Sequence, residues 1–170
     1  QPDDIFQERL YCIQWIKKET IHATRQETWF AAPTEADLER ERQVEAIVVA
    51  NLARWQDEGL VPDMAIEPGD ETTRLFRERG WTHWHHLFNA RQLIFLGFLR
   101  KQCLTQGSSA AMTLYFTKVT DWSNKGCHWH TGWEKPENLF YNQAFDTFWN
   151  YGTRSAYFLL AQWGLGTARF

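Results

Sequence analysis

Apolar positions along this chain change period near residue 33. Before it, residues 10–16 (Leu-Tyr-Cys-Ile-Gln-Trp-Ile) and 26–30 (Gln-Glu-Thr-Trp-Phe) are rich in β-branched and aromatic types around a polar connection, which predicts a β-hairpin. A lone hairpin is marginal in water, so residues 1–32 read as an appendage leaning on other structure. From residue 33 the spacing becomes helical. Thr34 is placed to cap the amide of Asp37, and Leu38, Val44, Ile47, Val48, Leu52 and Trp55 form one apolar stripe that stops at Gly59. Residues 33–59 are therefore an amphipathic helix. Its charged side, Glu39, Arg40, Glu41, Arg42 and Glu45, is most simply a solvated face.

Residues 60–78 read as a connector, with Pro62, Pro68 and Gly69-Asp70 interrupting any period. Residues 79–170 then read as a helical core. Within it, residues 81–104 are apolar on all sides, as expected of a central helix, and a second helix is predicted over 109–120. A polar loop follows over 121–130, and Pro136 suits the first turn of a further helix carrying Leu139, Phe140, Ala144, Phe145, Phe148 and Trp149 and ending near Gly152. The apolar run 155–162 has no decided type. The fold class is mainly α with a small N-terminal β-hairpin (α+β), in a single domain spanning 1–170.

Composition adds one feature: aromatics make up 16% of the 170 residues, with 10 Trp, so they dominate whatever packs. The formal net charge of −3 excludes a bulk electrostatic footprint for nucleic acid, and any such contact must be local. Three scattered cysteines, Cys12, Cys103 and Cys127, suit a reducing cytoplasm. No segment reads as a signal peptide or membrane span, and the Gln-Pro-Asp-Asp start reads as trimmed from something longer.

The histidines and cysteines raise the question of metal. Cys127 and His130 have the spacing for two zinc ligands, and Thr82-His-Trp-His-His86 concentrates imidazole. No paired Cys-x-x-Cys unit exists, however, so these are weak metal candidates. There is no nucleophile elbow, and Gly164-Leu-Gly166 leads into no helix that could hold phosphate. There remains a polar, aromatic strip: Asn124, Lys125, His128, Trp129 and His130, then Asn142, Gln143, Asn150, Tyr151 and Arg154. Such groups can hold an unstacked base. Composition alone favours the plainer reading, that they cap helices and join core aromatics.

Three runs resemble a known family: Ile66-Glu-Pro-Gly-Asp70; Arg79-Gly-Trp-Thr-His-Trp-His-His-Leu-Phe-Asn-Ala-Arg-Gln-Leu93; and Asn124-Lys-Gly-Cys-His-Trp129 with Phe140-Tyr-Asn-Gln-Ala144 and Trp149-Asn-Tyr-Gly152. They look like the middle region of the large bacterial and archaeal adenine-specific DNA methylases that contain a zinc ribbon. Arg9-Leu-Tyr-Cys-Ile-Gln-Trp15 resembles the segment after the ribbon. The resemblance implies that this chain is a fragment, a helical insert between the S-adenosylmethionine motif and the Asp-Pro-Pro-Tyr motif. It then holds no cofactor or catalytic residue itself, its metal ligands lie upstream, and its partners are the flanking methyltransferase core and, through the parent enzyme, DNA.

Such an insert suits target recognition. Arg91, Gln92, Lys125, His128, Asn142, Gln143 and Arg154 are the candidate DNA contacts, chosen for their chemistry and their place in or beside the family-like runs. The alternative is a structural or oligomerisation spacer packed on the methyltransferase core without touching DNA.

Overall fold

A computed structural model describes residues 8–105, 109–139, 148 and 150–156. The chain divides into two compact units, residues 1–47 and 48–170, with the division inside one helix.

In the first unit, β1 (Ile13–Ile16) pairs antiparallel with β2 (Thr28–Ala31), and Trp15 lies opposite Trp29. The predicted hairpin is present, with its first strand starting three residues late. An aromatic cross-strand pair is among the stronger sheet contacts. The connection closes through Lys17 N–H to Glu27 O at 2.9 Å and Glu27 N–H to the Thr20 hydroxyl at 3.0 Å.

Helix α1 (Glu35–Asp57) begins as its sequence requires. The Thr34 hydroxyl accepts from the Asp37 amide at 3.3 Å, and the Asp37 carboxylate accepts from the Thr34 amide at 2.9 Å. This is a reciprocal capping box with Asp in the place of Glu. Hydrogen bonds from Thr34, helped by Arg40, hold the Asp37 carboxyl below its ordinary value against the opposing effect of burial. Along the helix Val48 is buried and Leu52 and Trp55 half-buried, whereas Ile47 turns to solvent and leaves the predicted stripe. Gly59, at φ +66°, ends it. Leu60 N–H reaches Trp55 O at 2.8 Å and Gly59 N–H reaches Gln56 O at 2.9 Å, the Schellman pattern.

The second unit corrects three expectations. The connector contains a helix, α2 (Thr72–Arg79), which ends at Gly80 in the left-handed region. Only Leu75 of this helix is buried, so it shows no apolar stripe for a period to detect. Residues 81–88 are not helical. They fold as an extended stretch bridging Ala65 to His83 and a 3-10 turn at Trp84–Leu87. Helix α3 (Ala90–Thr105) starts where Asn89 and Gln92 cap each other, with both amide-to-side-chain bonds at 3.0 Å. Phe98 and Leu104 are exposed, so α3 is not buried on all sides.

Helix α4 (Ala110–Trp122) has the predicted start, with the Ser109 hydroxyl accepting from Met112 N–H. The third correction follows it: β3 (His128–His130) pairs antiparallel with β4 (Lys135–Glu137), so Pro136 sits in a strand opposite Trp129 rather than opening a helix. The remainder of that expected helix lies mainly outside the described residues, as does most of 155–162.

Three apolar clusters form the core of this unit. Leu75, Trp81, Leu87 and Leu139 make one; Leu96, Leu99 and Val119 a second; Val48, Val61 and Leu93 a third. Phe88 packs against all three. Phe88→Ala should therefore cost about 3 kcal/mol or more, read as a lowered midpoint of chemical unfolding, because its cavity opens onto every cluster at once.

Candidate nucleic-acid interface

The sequence candidates separate once placed. Arg91 is exposed in the first turn of α3. Gln92 is only 3% exposed and its side-chain oxygen is engaged by Asn89 N–H, so it is a capping residue and not a surface contact. Lys125 is partly buried: its amide donates to Leu87 O at 2.8 Å and its ammonium lies 5.7 Å from the centre of the Trp81 ring. The His128 Nδ1 lies 3.2 Å from Asn138 O. Arg154 lies over Trp122 at 5.9 Å. Burial draws its guanidinium below the ordinary value, a shift that leaves it charged. Asn142 and Gln143 lie outside the described residues.

Arg154 is one of three cations around a single indole. Lys118 lies 4.8 Å and Lys135 4.7 Å from the Trp122 ring centre. Lys118 precedes Trp122 by four residues on α4, a helical spacing that could have revealed it. Lys135 arrives through the β3–β4 pairing, which no local pattern announces. Asp121 and Glu137 answer Lys118 and Lys135 at 3.6 and 3.3 Å. The group thus keeps an excess of one positive charge in a chain of net charge −3.

Nearby, Trp84, Leu87, Phe88, Leu114, Phe116 and Leu139 wall a largely apolar cavity of about 730 Å³. Asn124 stands at its edge, with its amide donating to Thr120 O and Asp121 O and accepting from Gly126 N–H.

The imidazoles of His83, His85 and His86 cluster, with centres 4.4 to 5.7 Å apart. Thr82 N–H donates to His86 Nδ1 at 3.1 Å. Gln56 Nε2 contacts both Pro62 O and His85 Nδ1, at 3.1 and 3.3 Å. Burial, then the neighbouring histidines and Lys125, push His86 down to about 4 and lower His85 as well. The weak metal candidates are also engaged: Cys127 Sγ donates to Asp121 O at 3.3 Å, and His130 Nδ1 accepts from Trp133 N–H at 3.0 Å. Among the described residues no group of three potential ligands is arranged to hold a metal ion, and no helix is long and apolar enough to cross a membrane.

Two measurements test these environments. His86 stays neutral in the folded chain while its unfolded counterpart protonates near 6.5. The unfolded state then binds more protons between about pH 6.5 and 4, so stability falls as pH drops through that window. His86→Asn keeps an acceptor for Thr82 and should flatten this dependence in unfolding curves. Cys127, pushed up to about 12 by burial, should resist thiol-specific alkylation at neutral pH until denaturant is added.

No family model, curated protein or solved structure matches the chain.

Proposed function

We propose that this chain is the helical insert of an S-adenosylmethionine-dependent, adenine-specific DNA methyltransferase and contributes to DNA target recognition. The observation that carries this reading is convergence. The runs resembling that family are far apart in sequence, yet Lys125 N–H in one bonds Leu87 O in another, and Asn89 Nδ2 bonds Thr153 Oγ1, one residue beyond a third run, at 2.5 Å. These bonds hold parts of the family-like runs in one folded unit, which supports reading them as one functional element.

Methyl transfer to the exocyclic amine of adenine requires the base to leave the helix, and the distorted duplex needs a second surface to hold it. On this reading, cofactor binding and base handling belong to neighbouring parts of the parent enzyme. Arg91, Lys125, His128 and Arg154 supply local polar contacts, and a chain of net negative charge can bind DNA only through such a patch.

A second reading is favoured by a different observation. Leu114 and Phe98, on α4 and α3, are 71% and 62% exposed, as expected of faces that pack on another protein surface. In that case the chain is a spacer on the methyltransferase core and does not touch DNA.

Fluorescence anisotropy with labelled duplex DNA separates the two. Target recognition predicts affinity that falls steeply with salt, and Arg91→Ala and Lys125→Gln should each make the log–log salt slope shallower by about 0.9, the share of one neutralised phosphate. Absence of binding even at low salt, with concentration-dependent association of the chain, would sink target recognition and leave the spacer.

A further inference from the structure

We infer that residues 82–86 form a proton-released strap on the wall of the apolar cavity, latched in the closed position by imidazoles that act as hydrogen-bond acceptors. The inference is independent of the DNA reading. Buried Trp81 and Leu87 anchor the strap at its two ends. Between them it carries Trp84, part of the cavity wall, and three imidazoles with centres 4.4 to 5.7 Å apart.

Few bonds hold the strap down. Trp84 N–H donates to Met64 O at 3.1 Å and Ile66 N–H to Thr82 O at 2.9 Å, on either side of an isolated bridge between Ala65 and His83. Thr82 is exposed and residues 83–86 are half-buried. A segment so held opens at a lower free energy than the helices behind it. Two side-chain bonds complete the latch. Thr82 N–H donates to His86 Nδ1 at 3.1 Å. The Gln56 amide nitrogen, which donates to Pro62 O, also donates to His85 Nδ1 at 3.3 Å. A ring nitrogen accepts only while it carries no proton, so both bonds are lost when the rings become cations.

The groups that face the two rings add to this effect. His86 meets His85 and His83 of its own segment and Lys125 of the loop after α4. His85 meets His83 and Lys125, whereas Pro62 O favours its charged form. A proton on either ring is therefore repelled by its neighbours, and the repulsion is relieved when the strap moves into solvent. Burial is the largest cause holding His86 at about 4 in the closed strap, against 6.5 for an ordinary histidine. The open strap thus binds the proton more tightly, and opening gains ground as pH falls from 6.5 towards 4. For His86 alone the open population rises about thirtyfold between pH 8 and pH 5. His85, lowered mainly by burial, acts in the same direction.

Native-state hydrogen exchange on the whole chain, corrected for the intrinsic pH dependence of amide exchange, tests the strap. Between pH 8 and pH 5 the amides of Ile66, Thr82 and Trp84 should lose protection about thirtyfold. The Lys125 amide, which donates to Leu87 O at the anchor, and the amides of Leu96 and Leu99 in α3 should lose far less. His86→Asn keeps an acceptor for Thr82 N–H but takes up no proton, so it should remove most of the loss at the three strap amides. The comparison among wild-type amides stands whether or not that variant folds. Equal loss at the strap and in α3 would mean that acid acts on the whole fold and overturns the strap. Protection that does not change with pH, or an undiminished loss in folded His86→Asn, overturns it as well.

Discussion

Phe88 is the side chain on which the second unit closes. It lies in an extended residue between the 3-10 turn and α3 and touches the cluster under α2, the α3–α4 seam and the junction of α1 with α3. Helices can pack in pairs by ridges and grooves, but three separate clusters become one core only where a single group fills the space common to them. The backbone there is held by Phe88 N–H to His85 O and by Lys125 N–H to Leu87 O. The turn that carries the imidazoles and the loop that carries Lys125 are thereby set by the same packing that stabilises the fold.

The parts of the structure most readily read from sequence are those governed by neighbours a few residues apart. Thr34 and Asp37 announced the start of α1, Gly59 its end, and Ser109 the start of α4. Trp15 and Trp29 lie in runs whose composition already favoured strands. The misreadings all involve partners remote in sequence. Leu75 is buried by Trp81, Leu87 and Leu139, so α2 looks like a charged connector when seen alone. Pro136 suits the first turn of a helix, and only its pairing with Trp129 makes it a strand residue. The run from Trp81 is apolar because it threads between clusters, and a period cannot distinguish that from a central helix.

The candidate site was legible to a similar extent. Lys125 and Arg154 were marked by residue type and by the runs in or beside which they fall, and both lie against indoles. Gln92 was chosen for an amide that the fold uses to cap its own helix. An Asn followed by Gln three places on is a capping signal in its own right, and it lies within the same run that suggested DNA contact. Lys118 and Lys135 became visible only when α4 and the hairpin brought them to Trp122. Charge in this protein is therefore organised by aromatic rings as much as by opposite charges.

Asn124 is nearly inaccessible, at 1% exposure, and both ends of its side-chain amide are used. Aspartate at this position would set a carboxylate against the carbonyls of Thr120 and Asp121, and leucine would strand the Gly126 amide. Few substitutions keep the same turn. A search among diverged sequences for this architecture is thus better anchored on a buried amide two residues before a glycine, after an aromatic-rich helix, than on the exposed cations, which many surfaces could supply.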